Sequence, residues 1–532
     1  MGKIFYNAKI YSLDSKKNIY SVLVINSFGE IEYIGNNYKK DKFLNYEEIN
    51  LNKKFVYPGF IDSHLHMLNY AFIETNLKLY DCGSIKEIQN KILERNNINK
   101  DEKEWIFGRG WNQDNFTKGE KKLERKDLDE VSEKIPIFLI RVCGHEAVAN
   151  TKALKEILKL EKCKDFLKYI DKKKGILLEG AVKLCYDAMP AFNYKKIENL
   201  IKVAVKDLNK CGITTVHSDN FLSLPGKNYK EIIKAFKNLD ERGELTVRVC
   251  DQASFMNKEE LKKFIDDREY SEVKSKFYKI GPIKIYQDGS LGAKTALLKE
   301  GYINDKENNG IAIHSIQNLN KMIEIAHKDG RQVIVHTIGD LALEQVLDCV
   351  EYVNFKYPRN NHRHGIVHAQ ITTPELLERI KKNEMIIYIQ PVFIASDMDM
   401  VEKLVGKKRV TKSYAWKSMK NMGIIISGGS DSPVERFDIL ENMQIAITRK
   451  KLGDIDREAW LPHEKLTKQD SLEIFTKNGA YASFEEKLKG TLEIGKFGDF
   501  VVLDRDIFEV EENSIKDIKI LKTVVNGVVV YE

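Results

Sequence analysis

Long apolar runs are missing from this 532-residue chain, and no stretch approaches the roughly 20 apolar residues that a membrane-spanning helix needs. Cysteine is scarce: the 7 residues are scattered without a paired spacing. That argues against a disulfide framework and for reduced thiols in a cytoplasmic protein. An excess of one charge sign is also lacking. Lys and Arg number 86 against 79 Asp and Glu, a net charge of +7 that is small beside the total. No nucleic-acid partner is therefore expected, and basic runs such as Lys172 to Lys174 read as solvated surface. The first residues, Lys3 to Tyr11, alternate like a strand and lack the continuous apolar core of a signal peptide.

What the chain does have is a set of polar groups at the ends of short β-branched runs. Pro58-Gly59-Phe60-Ile61-Asp62-Ser63-His64-Leu65-His66 ends in two histidines one residue apart. Side chains alternate faces along a strand, so His64 and His66 point the same way and can grip one metal ion. Alone, the pair could equally be strand-end histidines touching solvent or backbone. Three further runs close on ligand-type groups: Gln332 to His336, Gly365 to His368, and Gly423 through Ser427 to Asp431. A fourth, Gly281 to Ser290, carries Lys284 inside an apolar strand, where an unpaired ammonium costs several kcal/mol or loses its proton.

In this order the motifs resemble the amidohydrolase superfamily of metal-dependent hydrolases, in particular the branch containing N-substituted formamide deformylases. The likeness rests on His64-Leu65-His66, on the Lys284 run continuing through Asp288-Gly289-Ser290 to Ala296, on His336 to Asp340, on Arg363-His364 to His368-Ala369-Gln370, and on Gly429-Ser430-Asp431-Ser432-Pro433. It runs nearly the full length of the chain.

The organisation agrees. Short alternating runs fill residues 1 to 57 and return at Asp499 to Leu503 and Ile518 to Tyr531, which predicts a small β-sandwich built from residues 1–57 and 485–532. The segment Gly490 to Asp499 resembles the family's return into that sandwich, with Gly498 where relatives carry alanine. Between the ends, strand candidates start at Phe55, Gly212, Leu245, Ile283, Gln332, Gly365, Met385 and Gly423, with amphipathic stretches such as Ile197-Leu200-Ile201-Ala204-Leu208 among them. That is the strand number of a (β/α)8 barrel, placed over residues 58–484 in an α/β chain. Residues 68–195 are too long for a barrel loop and read as an inserted subdomain covering the pocket.

The resemblance implies two divalent ions, zinc first, with manganese or iron as substitutes. His64, His66 and Asp431 would hold one, His336 and His368 the other, and Lys284, carbamylated by carbon dioxide, would bridge them. A hydroxide held by the ions would attack a C–N bond of a small-molecule substrate, with Asp431 as proton shuttle. Trp111, His145, His217 and Asp288 are the candidate substrate contacts. Each has a plainer reading: Asp431 as a turn cap, Lys284 extended to the barrel rim, His217 as a hydrogen-bonded pocket histidine, Asp288 as a loop anchor. A deacetylase or isomerase on the same scaffold, or a ligand-binding barrel without chemistry, are the rival functions. No membrane partner is expected, and a homodimer is left open.

Overall fold

Pro58 is where the first strand run changes sheets. This computed structural model describes residues 1–98, 104–117 and 121–532. In it, the single strand expected from Phe55 to His66 is two. Glu47–Pro58 belongs to the sheet of the chain ends, and the first barrel strand, β1, is Phe60–Leu65. Val56 to Pro58 pair with Val502 to Phe500, whereas Phe60 pairs with Ile213. Proline has no N–H with which to continue a ladder, so the crossing falls there.

The remaining barrel strands are β2 (Ile213–Ser218), β3 (Arg248–Ser254), β4 (Tyr278–Tyr286), β5 (Val333–Thr337), β6 (Gly365–His368), β7 (Ile386–Ile389) and β8 (Ile426–Gly428). They form one eight-stranded parallel sheet in chain order. β3 runs past Cys250, where its apolar pattern stops, because the polar residues that follow are buried and paired: Asp251 accepts from the Tyr278 hydroxyl at 2.9 Å, and Gln252 faces His64. β8 and β1 close the barrel through cross-links instead of a ladder. Ser63 Oγ donates to Gly428 O at 2.7 Å, and the N–H groups of Asp431 and His66 donate to His64 O and Ser432 O at 2.8 and 2.7 Å.

The two chain ends build a seven-stranded sheet, in the order Val528–Tyr531, Ile520–Val525, Phe500–Leu503, Glu47–Pro58, Lys3–Tyr11, Ile19–Ile25, Ile31–Gly35. It folds over at Asn52 and Lys53, both left-handed (φ 51° and 59°), opposite a register shift between Tyr6 and Ala8. The resulting sandwich encloses Phe5, Leu23, Val56, Phe500 and Val524. Gly498 lies under Ile25, where a methyl group would meet Cδ1 at 2.4 Å. Arg248 of β3 ties barrel to sandwich, its Nε and Nη2 donating to Asp499 at 2.6 and 2.9 Å with both side chains buried. Breaking such a buried pair from one side costs about 3–5 kcal/mol.

These elements belong to one compact unit, residues 1–67, 204–222 and 236–532; a second comprises residues 68–203 and 223–235. The second holds a six-stranded sheet in the order Ile170–Asp171, Ile176–Leu178, Glu146–Ala149, Ile137–Arg141, Ile106–Trp111, Leu77–Lys78. Leu79, Ile92, Trp111, Ile137 and Val148 make one core. Phe72, Phe107, Tyr186 and Phe192 form an aromatic cluster on the alternate side of the Phe107 strand.

A histidine relay is buried in the first unit. Val333 N–H donates to His364 Nδ1 at 2.9 Å, His364 Nε2 lies 2.8 Å from His327 Nδ1, and His327 Nε2 lies 2.8 Å from Tyr357 O. A carbonyl only accepts, so His327 is protonated on Nε2 and His364 on Nε2, both neutral. Burial, with the positive Arg359 nearby, depresses both histidines and takes the adjacent His362 to about 4. Groups held neutral in the folded state bind protons less readily than in the unfolded chain, so their stabilisation is present above pH 6.5 and is lost as pH falls below it. The Tm of metal-free protein should therefore hold above about pH 7 and drop on acidification, as the unfolding free energy falls by up to about 1.4 kcal/mol per pH unit per group. An unchanged Tm between pH 7 and about 5 would show that the relay carries no such weight.

Candidate metal centre

Six side chains meet at the carboxyl ends of the barrel strands. His64 and His66 come from the end of β1, Lys284 from β4, His336 from β5, His368 from the last position of β6 and Asp431 from just beyond β8. Lys284 alternates with Ile283 and Ile285 and is fully buried. Nζ of Lys284 is 3.5 Å from His64 Nε2, and Asp431 Oδ1 is 3.4 and 3.1 Å from Nε2 of His64 and His66. His368 Nε2 lies 3.0 Å from His336 Nδ1 and 3.9 Å from Asp431 Oδ2.

The backbone is forced into place here. His368 and Asp431 have φ of 82° and 58°, left-handed values that cost a non-glycine residue roughly 1–3 kcal/mol. Gly429 lets the β8 end approach β1, since a Cβ at 429 would sit 2.7 Å from His64 N.

Each imidazole has one nitrogen held by the protein and the other turned to the centre. Nδ1 of His64 and His368 each lie 2.7 Å from the Oε1 of Gln252 and Gln390, whose own amide NH2 groups donate to Ser63 O and Tyr388 O. Those carbonyls fix the amide orientation, so the histidines are the donors. His66 Nδ1 faces Asp219 O at 3.1 Å, and His336 Nε2 faces Gly289 O at 3.2 Å. The inward nitrogens of His64, His336 and His368 are therefore lone pairs, crowded against one another and a carboxylate. A cation relieves that arrangement, and imidazole nitrogen with carboxylate oxygen is a donor set for zinc or a similar divalent ion. Geometry alone groups His64, His66 and Asp431 as one potential metal-holding set.

Charge states agree. Burial lowers His64 and His368 and takes His336 to about 3, keeping them neutral. His66 is raised, because its bond to Asp431 and the charge of Asp219 outweigh burial. Burial opposes ionisation of Asp431, but contact with His64 and His66 holds it well below the usual carboxylate range. Burial pushes Lys284 down to about 8 against the pull of Asp219 and Asp431.

Of the four candidate substrate contacts, Asp288 lies against the centre, its Oδ1 3.6 Å from His336 Nε2. Trp111 is fully buried in the core of the inserted unit, with Nε1 donating to Leu139 O at 3.4 Å. His145 is exposed in that unit beside Glu179, at 2.9 Å. His217, on β2, is buried with an unpartnered Nε2 and is pushed down to about 3 by burial. Asp288 accepts the N–H groups of Leu297, Ile338 and Gly339 at 3.0, 3.0 and 2.8 Å, tying together the loops after β4 and β5.

Gln252 and Gln390 were not singled out from the sequence, although both are amides at the end of a β run. Gln390→Leu should remove the acceptor that fixes the His368 tautomer and weaken metal binding roughly 10–100-fold, with Gln390→Glu keeping it. Competition with a chromophoric chelator reads this directly; equal affinity in the Leu variant would dismiss the role.

A parallel eight-stranded barrel with such a donor set at its strand ends defines a barrel hydrolase of the metal-dependent kind. The "Amidohydrolase family" model matches residues 47–531. "Putative amidohydrolase YtcJ" of Bacillus subtilis (strain 168) is 32% identical over 498 residues, covering 91% of this chain and 90% of that one. The N-substituted formamide deformylase of Arthrobacter pascens is 23% identical over 548 residues, 99% and 97% of the two chains. An uncharacterized metal-dependent hydrolase from Pyrococcus furiosus superposes with a TM-score of 0.81 at 27% identity, covering 96% of this chain and 100% of that one. The chain belongs to the amidohydrolase family. Among the described residues no helix is long and apolar enough to cross a membrane.

Proposed function

We propose that this protein hydrolyses a C–N bond of a small molecule, in an amide, formamide or cyclic amide, with two divalent ions, zinc first. The observation that carries this is the convergence of inward lone pairs from three tautomer-fixed histidines with His66, Asp431 and Lys284. The deformylase activity named for the Arthrobacter pascens relative supports the bond type.

His64, His66 and Asp431 would hold one ion and His336 and His368 the other. Lys284, which burial shifts towards its neutral amine, would add carbon dioxide, release one proton and present the resulting carbamate between them. When bound, such ions polarise a carbonyl oxygen and lower the pKa of water towards neutrality. Asp431, ionised and at the centre, accepts the proton of the attacking water and returns it to the departing amine nitrogen. Gln252, Gln390 and the carbonyls of Asp219 and Gly289 hold the histidine rings still throughout. Substrate recognition is assigned to His217 and Asp288.

The test is a screen of formamides, cyclic amides and N-acetyl compounds with zinc-loaded and chelator-treated protein. Metal-dependent release of amine from a formamide or cyclic amide is the expected result. Release of acetate alone would make it a deacetylase, and metal binding with no turnover would leave a ligand-binding barrel.

A further inference from the structure

Arg109 lies on the strand Ile106–Trp111 of the inserted unit, two residues after Phe107 and so on the same face of the sheet. Its Nε is buried with no acceptor, and among the described residues the guanidinium makes no ion pair or hydrogen bond. A guanidinium cannot discard its proton, so a buried donor of this kind favours an anionic partner. The acids of the unit that lie nearby in sequence or space are engaged elsewhere: Glu74 pairs with Lys78 and Glu179 with His145.

Beside Arg109 is a cavity of about 310 Å³, walled by Ile73, Leu77, Tyr80 and Phe107, with Asn76 and the mutually paired Glu74 and Lys78 completing its lining. The Phe107 ring is itself held by Phe72 and Tyr186 at 5.2 and 5.5 Å between centroids. The volume suits a small organic ligand. One unpaired cation beside a largely apolar wall matches a monoanion with an apolar body better than a phosphate, which would bring a second charge. A carboxylate also fits the planar fork of a guanidinium through two parallel bonds.

We propose that this cavity binds a small aromatic or aliphatic monocarboxylate, its carboxylate on Arg109 and its body against Phe107, Leu77 and Ile73. None of the six residues of the metal centre lines it, so the site stands whether or not the hydrolysis reading does.

Calorimetric titration of benzoate into full-length, chelator-treated protein tests it. Saturable binding of one equivalent is expected, with benzamide, which has the same shape and no charge, roughly tenfold or more weaker. Arg109→Met should weaken benzoate by a similar factor, and Arg109→Lys should fall between. Binding should persist in His64→Ala/His66→Ala, which separates this cavity from carboxylate capture at the metal centre. If Arg109→Met is unstable, the benzoate-to-benzamide ratio on the wild type and the lysine variant decide. Equal affinity for the two probes, no effect of Arg109→Met in a folded variant, or no saturation in the millimolar range would overturn the proposal.

Discussion

Asp431→Asn should lower turnover by roughly 10²–10⁴-fold while at least one metal ion stays bound. The substitution keeps the size and shape of the side chain and leaves all four imidazoles in place, so the ligand set is reduced and not erased. What disappears is the ionised carboxylate, which contact with His64 and His66 holds well below its ordinary range. An amide has no comparable affinity for a proton, so water loses its acceptor and the departing amine its donor. Turnover on whichever amide the screen identifies, divided by metal content from elemental analysis, gives the result. Near-normal turnover per bound metal would remove Asp431 as the proton carrier.

Lys284→Ala should abolish measurable activity and lower metal content from close to two ions per chain to about one. In the proposed assignment Lys284 would reach between the two sets of ligands, and without it His336 and His368 would be left as a two-ligand site. Short carboxylates such as acetate or propionate should partly restore metal and activity by occupying the space of the missing side chain. In the wild type, occupancy should follow bicarbonate and fall at low pH. There protonation of an amine that burial has brought to about 8 competes with carbon dioxide. A variant that retained full metal content, with no response to carboxylates, would end the bridging assignment.

Much of this centre was legible along the chain because its donors terminate apolar runs. His64, His66, His336 and His368 each close a β-branched segment, and Lys284 interrupts one, so register alone aligns them at one end of a barrel. The groups that fix the tautomers were not legible in the same way. Gln252 and Gln390 acquire their meaning from the histidine each faces across 188 and 22 residues of sequence, and two of the four locks are backbone carbonyls with no residue signature at all. The end of β3 was hidden for a related reason: Asp251 and Gln252 break the apolar pattern while staying buried and paired. Trp111 shows the opposite case. A large indole near a predicted pocket segment suggests a ligand contact, but a register shift between Arg109 and Trp111 breaks the strand alternation and turns the indole into the core of the inserted unit, off the face that carries Arg109.

The sandwich of the two chain ends also sets when the protein can finish folding during its synthesis. Glu47–Pro58 lies between Lys3–Tyr11 and Phe500–Leu503, and Arg248 of β3 waits for Asp499. At roughly 5–20 residues per second, the ribosome needs on the order of half a minute to two minutes to make this chain. For most of that time the Glu47–Pro58 edge, and for about half of it the Arg248 guanidinium, stand without their later partners. The barrel strands can pair as they emerge, but the contacts that join residues 3–58 to residues 499–525 close only after those later residues have been made. A nascent chain stalled before residue 499 should therefore expose an open strand edge, the kind of surface that recruits chaperones or a second copy.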